Sequence, residues 1–90
     1  MHFEWNPKKA ASNHHKHGVT FEEATSALRD VFSATGHDPD HSGDEERFVT
    51  FGISSQGRLL PVLHTDRGNA IRIISARLAT NVERKIYEEG

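Results

Sequence analysis

Four side chains in the second half of this 90-residue chain are of the types that phosphate chemistry needs: Arg47, His64, Arg72 and Arg77. A guanidinium presents a planar fork of N–H donors that matches two phosphate oxygens. An imidazole titrates near neutral pH and so moves protons there. Cleaving RNA without a metal takes a base for the ribose 2′-OH, an acid for the leaving 5′-oxygen and cations for the pentacoordinate phosphate. His64 suits the proton transfer, and Arg47, Arg72 and Arg77 suit the clamp. Glu45 and Glu46, beside Arg47, are an alternative base, or else partners that hold the arginines. Lys16, His17, Arg67 and Tyr87 are expected to contact the substrate. The competing expectation is structural. Arg72 lies between Ile71 and Ile73, where a guanidinium needs a carboxylate or a phosphate. Pairing of Arg72 and Arg77 with Glu83, Glu88 or Glu46 would then serve only to fix the fold.

The charges are segregated in a way that favours an anionic ligand. The whole chain carries a formal net charge of −2. Residues 36–46 hold Asp38, Asp40, Asp44, Glu45 and Glu46, while residues 47–77 hold five arginines against Asp66 alone. A basic block beside an acidic loop attracts anions whatever the total is. His14 and His17 stand at helical spacing, but there is no HExxH pattern and no cysteine, so no metal site or other cofactor is expected. Lys16 and His17 at a helix C-terminus also complement its dipole. Trp5 and the phenylalanines at 3, 21, 48 and 51 read first as core packing.

The elements that position these residues follow from local signals. His2 to Trp5 alternates as a short strand does. Asn6-Pro7 caps a helix that Gly18 ends. Thr20-Phe-Glu-Glu23 reads as a capping box, and Phe21, Ala24, Leu28 and Val31 give a second helix an apolar stripe as far as Phe32. Ala34 to Glu46 has no periodicity and reads as a mobile acidic loop. Arg47–Ile53, Arg58–Thr65 and Ala70–Arg77 form an antiparallel meander joined by glycine-bearing turns. Pro61 implies a bulge or an unpaired side in the middle strand. Thr80-Asn-Val-Glu83 caps a closing helix. The class is α+β, a small antiparallel sheet packed against helices in the order β-α-α-β-β-β-α.

Ninety residues make one domain, spanning 1–90. Leu, Ile, Val and Phe supply 20 of the 90 residues, enough for a small core with stability of roughly a few kcal/mol. The absence of cysteine excludes a disulfide scaffold and a thiol nucleophile. No apolar run approaches a membrane span, and the N-terminus does not read as a signal peptide, so a cytoplasmic protein with no membrane partner is expected.

Taken together, these segments resemble the BrnT toxin family, also described as DUF497. Phe3-Glu-Trp-Asn-Pro7 is similar to its opening motif, and Asn13-His-His-Lys-His-Gly18 with Val19-Thr-Phe-Glu-Glu-Ala24 to its KHG signature. Glu45-Glu-Arg47, Val62-Leu-His-Thr65 and Arg72-Ile-Ile-Ser-Ala-Arg77, followed by Glu83, Arg84 and Tyr87, resemble its later strands and ending. The resemblance implies a RelE-like fold and a metal-independent endoribonuclease toxin that inhibits translation by cleaving RNA. It also implies neutralisation by a BrnA-like, DNA-binding antitoxin, with DNA reached only through that complex. Its basic site would fall on Arg72 and Arg77, with His64 and Arg47 nearby. A binding module without turnover on the same fold is the alternative.

Overall fold

In the computed structural model, residues 2–38 and 45–90 are described. Residues 39–44, the middle of the acidic loop, lie outside the described residues. Asn6 is extended, and its Oδ1 accepts the amides of Lys8 and Lys9 at 2.8 and 3.3 Å. With Pro7 in the first turn, this cap opens α1 (Pro7–His17), and Gly18 closes it at φ +70°. Thr20 Oγ1 accepts the Glu23 amide at 3.0 Å and opens α2 (Phe21–Leu28). The reciprocal half of the expected capping box is missing, because the Glu23 carboxylate turns to Arg58 instead.

Helix α2 also stops short of Phe32. The Asp30 carboxylate takes the amides of Phe32 and Ile53 at 3.0 and 2.8 Å, which folds residues 30–33 into a turn. Val31 and Phe32 are left 86% and 82% exposed rather than extending the buried stripe. Phe21, Ala24 and Ala27 form that stripe.

Among the described residues five strands follow the order β1-β5-β4-β3-β2 across one sheet. They are β1 (His2–Glu4), β2 (Ala34–His37), β3 (Phe48–Ile53), β4 (Leu59–Arg67) and β5 (Ala70–Ala76), and α3 (Asn81–Glu89) ends the chain. Two corrections to the expected antiparallel, RelE-like arrangement result. First, β1 pairs with β5 in parallel, so the sheet is mixed; both helices lie between the two strands in sequence, which is the long crossover that parallel pairing needs. Second, Ala34–His37 is a strand rather than loop. All four of its residues are exposed, so no apolar alternation marked it, and its pairing with Phe48–Phe51 supplies the order.

Pro61 faces Phe51 on β3 and lies just before the β4–β5 register, which begins at Val62–Ala76. A register shift occurs two residues on, at Leu63/His64, where Ser75 and Ile73 become successive partners and Ile74 is the extra residue. The shift carries Ile73 and Ala76 to the same face despite their opposite parity. Both join Val19, Phe21, Ala24, Ala27, Leu60 and Val62 in the core beneath α1 and α2.

Two polar or backbone devices seat those helices. Buried Asn13 donates to the carbonyls of Val19 and Ala76 at 2.9 Å each and accepts the Ala76 amide at 3.1 Å, riveting α1 to β5. Gly52 lets β3 approach α2 so closely that a Cβ there would sit 2.1 Å from the Ala27 carbonyl oxygen. Helix α3 is different: its Thr80–Glu83 capping box is complete, yet none of its residues is buried. Among the described residues no helix is long and apolar enough to cross a membrane.

Candidate functional site

The ladder registers sort the site residues onto two faces. Phe48, Thr50 and Gly52 oppose His64, Val62 and Leu60, and this set faces α1 and α2. The alternate set, Val49 and Phe51 with Leu63 and Pro61, faces away from those helices. On that open face Leu63 is opposite Ser75, Thr65 is opposite Arg72, and Arg72 is opposite Glu4. Arg47 precedes β3 in step with Val49, and Arg77 follows β5 in step with Ser75. Strand parity therefore puts the positions of Arg47, Arg72 and Arg77 on the side of the sheet away from α1 and α2. The Arg77 amide reaches the Pro61 carbonyl at 3.4 Å, four residues from Thr65, so the Arg72 and Arg77 positions are about 13 Å apart along the strands.

Each guanidinium is held differently. Arg72 Nη1 donates to Glu4 Oε2 at 2.9 Å, with side-chain exposures of 30% and 36%. Arg77 makes a bidentate pair with Glu83 at 2.8 and 2.9 Å and a third bond to the Leu78 carbonyl at 3.1 Å. That guanidinium draws the Glu83 carboxyl down to a pKa of about 2, against a smaller opposing effect of burial. Arg47 Nε is buried and has no hydrogen-bond partner among the described residues. The Arg77–Glu83 pair is one of the structural pairings the sequence suggested. Glu4 as the partner of Arg72 is not, since only the parallel seating of β1 brings residue 4 beside residue 72.

His64 lies on the covered face, not with the arginines. It is 6% exposed, stacks on Phe48 with ring centroids 5.9 Å apart, and its Nε2 is 2.7 Å from Thr50 Oγ1. Thr50 Oγ1 is in turn 2.7 Å from Thr35 Oγ1. Its Nδ1 is buried without a partner among the described residues. Burial pushes the His64 pKa below its ordinary value, with Asp66 opposing the shift.

The other expected contacts are dispersed. Lys16 and His17 line a cleft with Lys9, Ser12 and Ser75 between α1 and β5, of about 200 Å³. Arg67 is exposed at the far end of β4, opposite Ala70. Tyr87 stands at the α3 end of the sheet, where its hydroxyl donates to the Phe32 carbonyl at 3.2 Å. Glu45 and Glu46 border a separate recess with Phe48, Thr65 and Asp66, and Thr65 Oγ1 donates to the Glu46 carbonyl at 2.6 Å. Among the described residues no three His, Asp or Glu side chains converge as metal ligands do.

The most buried ion pair among the described residues escaped sequence reasoning. Glu23, with a 2% exposed side chain, accepts Arg58 Nε at 2.9 Å and Ser54 Oγ at 2.7 Å, and Arg58 Nη2 closes a second bond to its other oxygen. Arg58 Nη2 also donates to the Gly18 carbonyl at 3.1 Å. The Arg58 fork and the Ser54 hydroxyl hold the Glu23 carboxyl below its usual pKa despite burial. Glu23 read locally as a cap, and nothing in the spacing pointed to a partner 35 residues away.

Comparison with known proteins bears on the fold and the family. The crystal structure of the Brucella abortus ribonuclease toxin BrnT is similar to this fold, with a TM-score of 0.66 at 23% identity, over 90% of this chain and 99% of that one. No curated protein sequence matches the chain. The profile of the BrnT ribonuclease toxins matches residues 5–83. The chain therefore belongs to the BrnT family, the ribonuclease toxins of type II toxin–antitoxin systems.

Proposed function

We propose that this chain is a metal-independent endoribonuclease whose open sheet face binds and cleaves RNA in the cytoplasm, arresting translation. The observation that carries the reading is that Arg47, Arg72 and Arg77 stand on the sheet side away from α1 and α2, with buried Arg47 Nε left without a partner among the described residues. Guanidinium forks spaced along the strands meet different phosphates, and the one at the scissile phosphate stabilises the charge of the pentacoordinate state. That is the part a divalent ion would otherwise play, so cleavage proceeds in EDTA. The ribose 2′-OH loses its proton and attacks phosphorus, the 5′-oxygen leaves and takes a proton from solvent, and a 2′,3′-cyclic phosphate remains.

The proton acceptor in this reading is Glu4. Its carboxylate lies beside Arg72 on the open face, whereas His64 is shut beneath the helices. Lys16 and His17 extend the basic surface into the α1–β5 cleft and take the flanking strand. A BrnA-like antitoxin neutralises the toxin, and DNA is met only through that complex. The binding-module reading draws on one observation: Arg72 and Arg77 already hold carboxylates.

Purified protein freed of its partner and incubated with RNA and EDTA separates the two. Cleavage to cyclic phosphate ends, lowered about 100-fold or more by Arg72→Ala and Glu4→Gln, is the expected result. Intact RNA that shifts in a gel would support the module, and wild-type cleavage by folded Arg72→Ala would remove that arginine from the site.

A further inference from the structure

We propose that the cleft between α1 and β5 binds one phosphodiester of the RNA beside the scissile bond, through Lys9, Ser12, Lys16, His17 and Ser75. The proposal rests on the ribonuclease reading above and implies that RNA longer than a dinucleotide is held more tightly. The cleft has a volume of about 200 Å³. Pockets for larger organic ligands start at roughly 300 Å³, so this one suits a single small charged group rather than a whole nucleotide.

The lining selects an anion. Two lysines, a histidine and two serines line the cleft, and among the described residues no carboxylate does. Arg58, Arg72 and Arg77 each hold a glutamate, whereas Lys9, Lys16 and His17 have no ion pair among the described residues. The place of Lys9 points the same way. It stands in the first turn of α1, where the helix dipole disfavours a cation and no acidic residue offsets it. The dipole accounts for Lys16 and His17 in the last turn, but not for Lys9. With Ser12, the two lysines fall at i, i+3 and i+7, a single stripe along the helix.

The cleft is also fixed in shape and adjoins the proposed site. Buried Asn13 bonds to both backbone groups of Ala76 and to the Val19 carbonyl, which sets the distance between α1 and β5. Strand β1 pairs with β5 only as far as Arg72, and beyond it Asn13 of α1 takes over the bonding at Ala76. Ser75 belongs to the lining, yet its register partner is Leu63, on the sheet side away from α1 and α2. It thus links the cleft to the side on which Arg72 stands, three residues earlier and about 10 Å along the strand. An RNA strand with its scissile phosphate at Arg72 reaches the cleft with a phosphate farther along.

The test uses the full chain freed of its antitoxin. Its substrates are an RNA decamer containing a cleaved bond, the dinucleotide spanning that bond, and a 2′-O-methyl decamer that cannot react. The double variant Lys9→Gln with Lys16→Gln is compared with Lys8→Gln, a neighbouring lysine outside the lining. The double variant is expected to raise KM for the decamer about 10-fold at unchanged kcat and to cleave the dinucleotide as the wild type does. Its salt slope for binding the methylated decamer should fall by about 0.7, the count for one single-strand phosphate. Lys8→Gln should keep wild-type values, and circular dichroism should show both variants folded. Unchanged KM and slope in the double variant would overturn the proposal. So would an equal loss on the dinucleotide, which would put the lysines at the scissile phosphate, or an equal loss in Lys8→Gln, which would mean a diffuse field. A loss confined to 5′-phosphorylated decamer would also overturn it, in favour of a terminal phosphate. If the wild type cleaves no RNA while the double variant alone weakens binding of the methylated decamer, the cleft stands and the ribonuclease reading falls; cleavage with an unaltered slope gives the reverse.

Discussion

The two faces of the sheet use the same kind of ion pair for opposite ends. Under the helices, Glu23 is sealed with Arg58 and Ser54, its side chain 2% exposed. On the open face, Arg72–Glu4 and Arg77–Glu83 keep between a quarter and a half of each side chain in water. A sealed carboxylate cannot lose its partner without becoming an uncompensated buried charge. A half-exposed guanidinium exchanges one anion for another at little cost, as a phosphate clamp must. Burial, more than pairing, separates the scaffold from the proposed site.

The sharpest way to break the covered face is Gly52→Ala. Its methyl would collide with the Ala27 carbonyl, a backbone atom that cannot move without lifting α2 off β3. Urea unfolding should show a loss of about 3 kcal/mol or more, or no folded protein at all. A wild-type midpoint would mean that α2 does not need this close approach. Glu23→Ala comes next. It strands Arg58 and removes the acceptor of the Ser54 hydroxyl, with an expected cost of about 2–4 kcal/mol, reduced from a fully buried pair because Arg58 is one-third exposed.

The same contrast explains what was legible in the sequence. Asn6-Pro7, Gly18, Thr80-Glu83 and the three apolar strands announce themselves through local chemistry, and each element stands within a residue or two of its expected place. Arg72, a cation flanked by isoleucines, does hold a carboxylate, one of the two partners expected for it. What was hidden depends on distance along the chain. Strand β2 carries no apolar alternation, and α2 ends where Asp30 finds the Ile53 amide 23 residues on. The register shift around Ile74 makes parity counts fail across β5, and only the β4 pairing reveals it. His64 matches Val62 in parity, which the sequence showed. That this face is the covered one required knowing where both helices dock.

His64 offers a pH test of the covered face. Its pKa is lowered on folding, so the unfolded chain binds the proton more readily. Its share of stability is therefore full above the ordinary histidine pKa of about 6.5 and is lost as pH falls from there toward the lower folded value. Urea midpoints should drop more between about pH 7.5 and about pH 5.5 in the wild type than in His64→Gln, which keeps a polar group near Thr50 but does not titrate. Equal drops in the two proteins would mean that the imidazole reaches water on the native sheet.

The smallest stability effect should come from the open face. Arg72→Ala removes one hydrogen bond from a pair exposed on both sides, so solvent screening leaves about 0–1 kcal/mol at stake. Arg77→Ala should cost slightly more, because it frees a bidentate Glu83 whose carboxyl also receives the Thr80 amide at 2.9 Å and anchors α3. The Glu83 pair adds a second check. With its carboxyl drawn to about 2, its stabilisation is full above the usual carboxylate range and fades as pH falls from about 4.5 toward that value. Thermal unfolding of both variants at neutral pH should lie within a few degrees of the wild type. If Arg72→Ala unfolded as readily as Glu23→Ala, Arg72 would belong to the scaffold, and the open face would have no more claim to bind phosphate than the buried one.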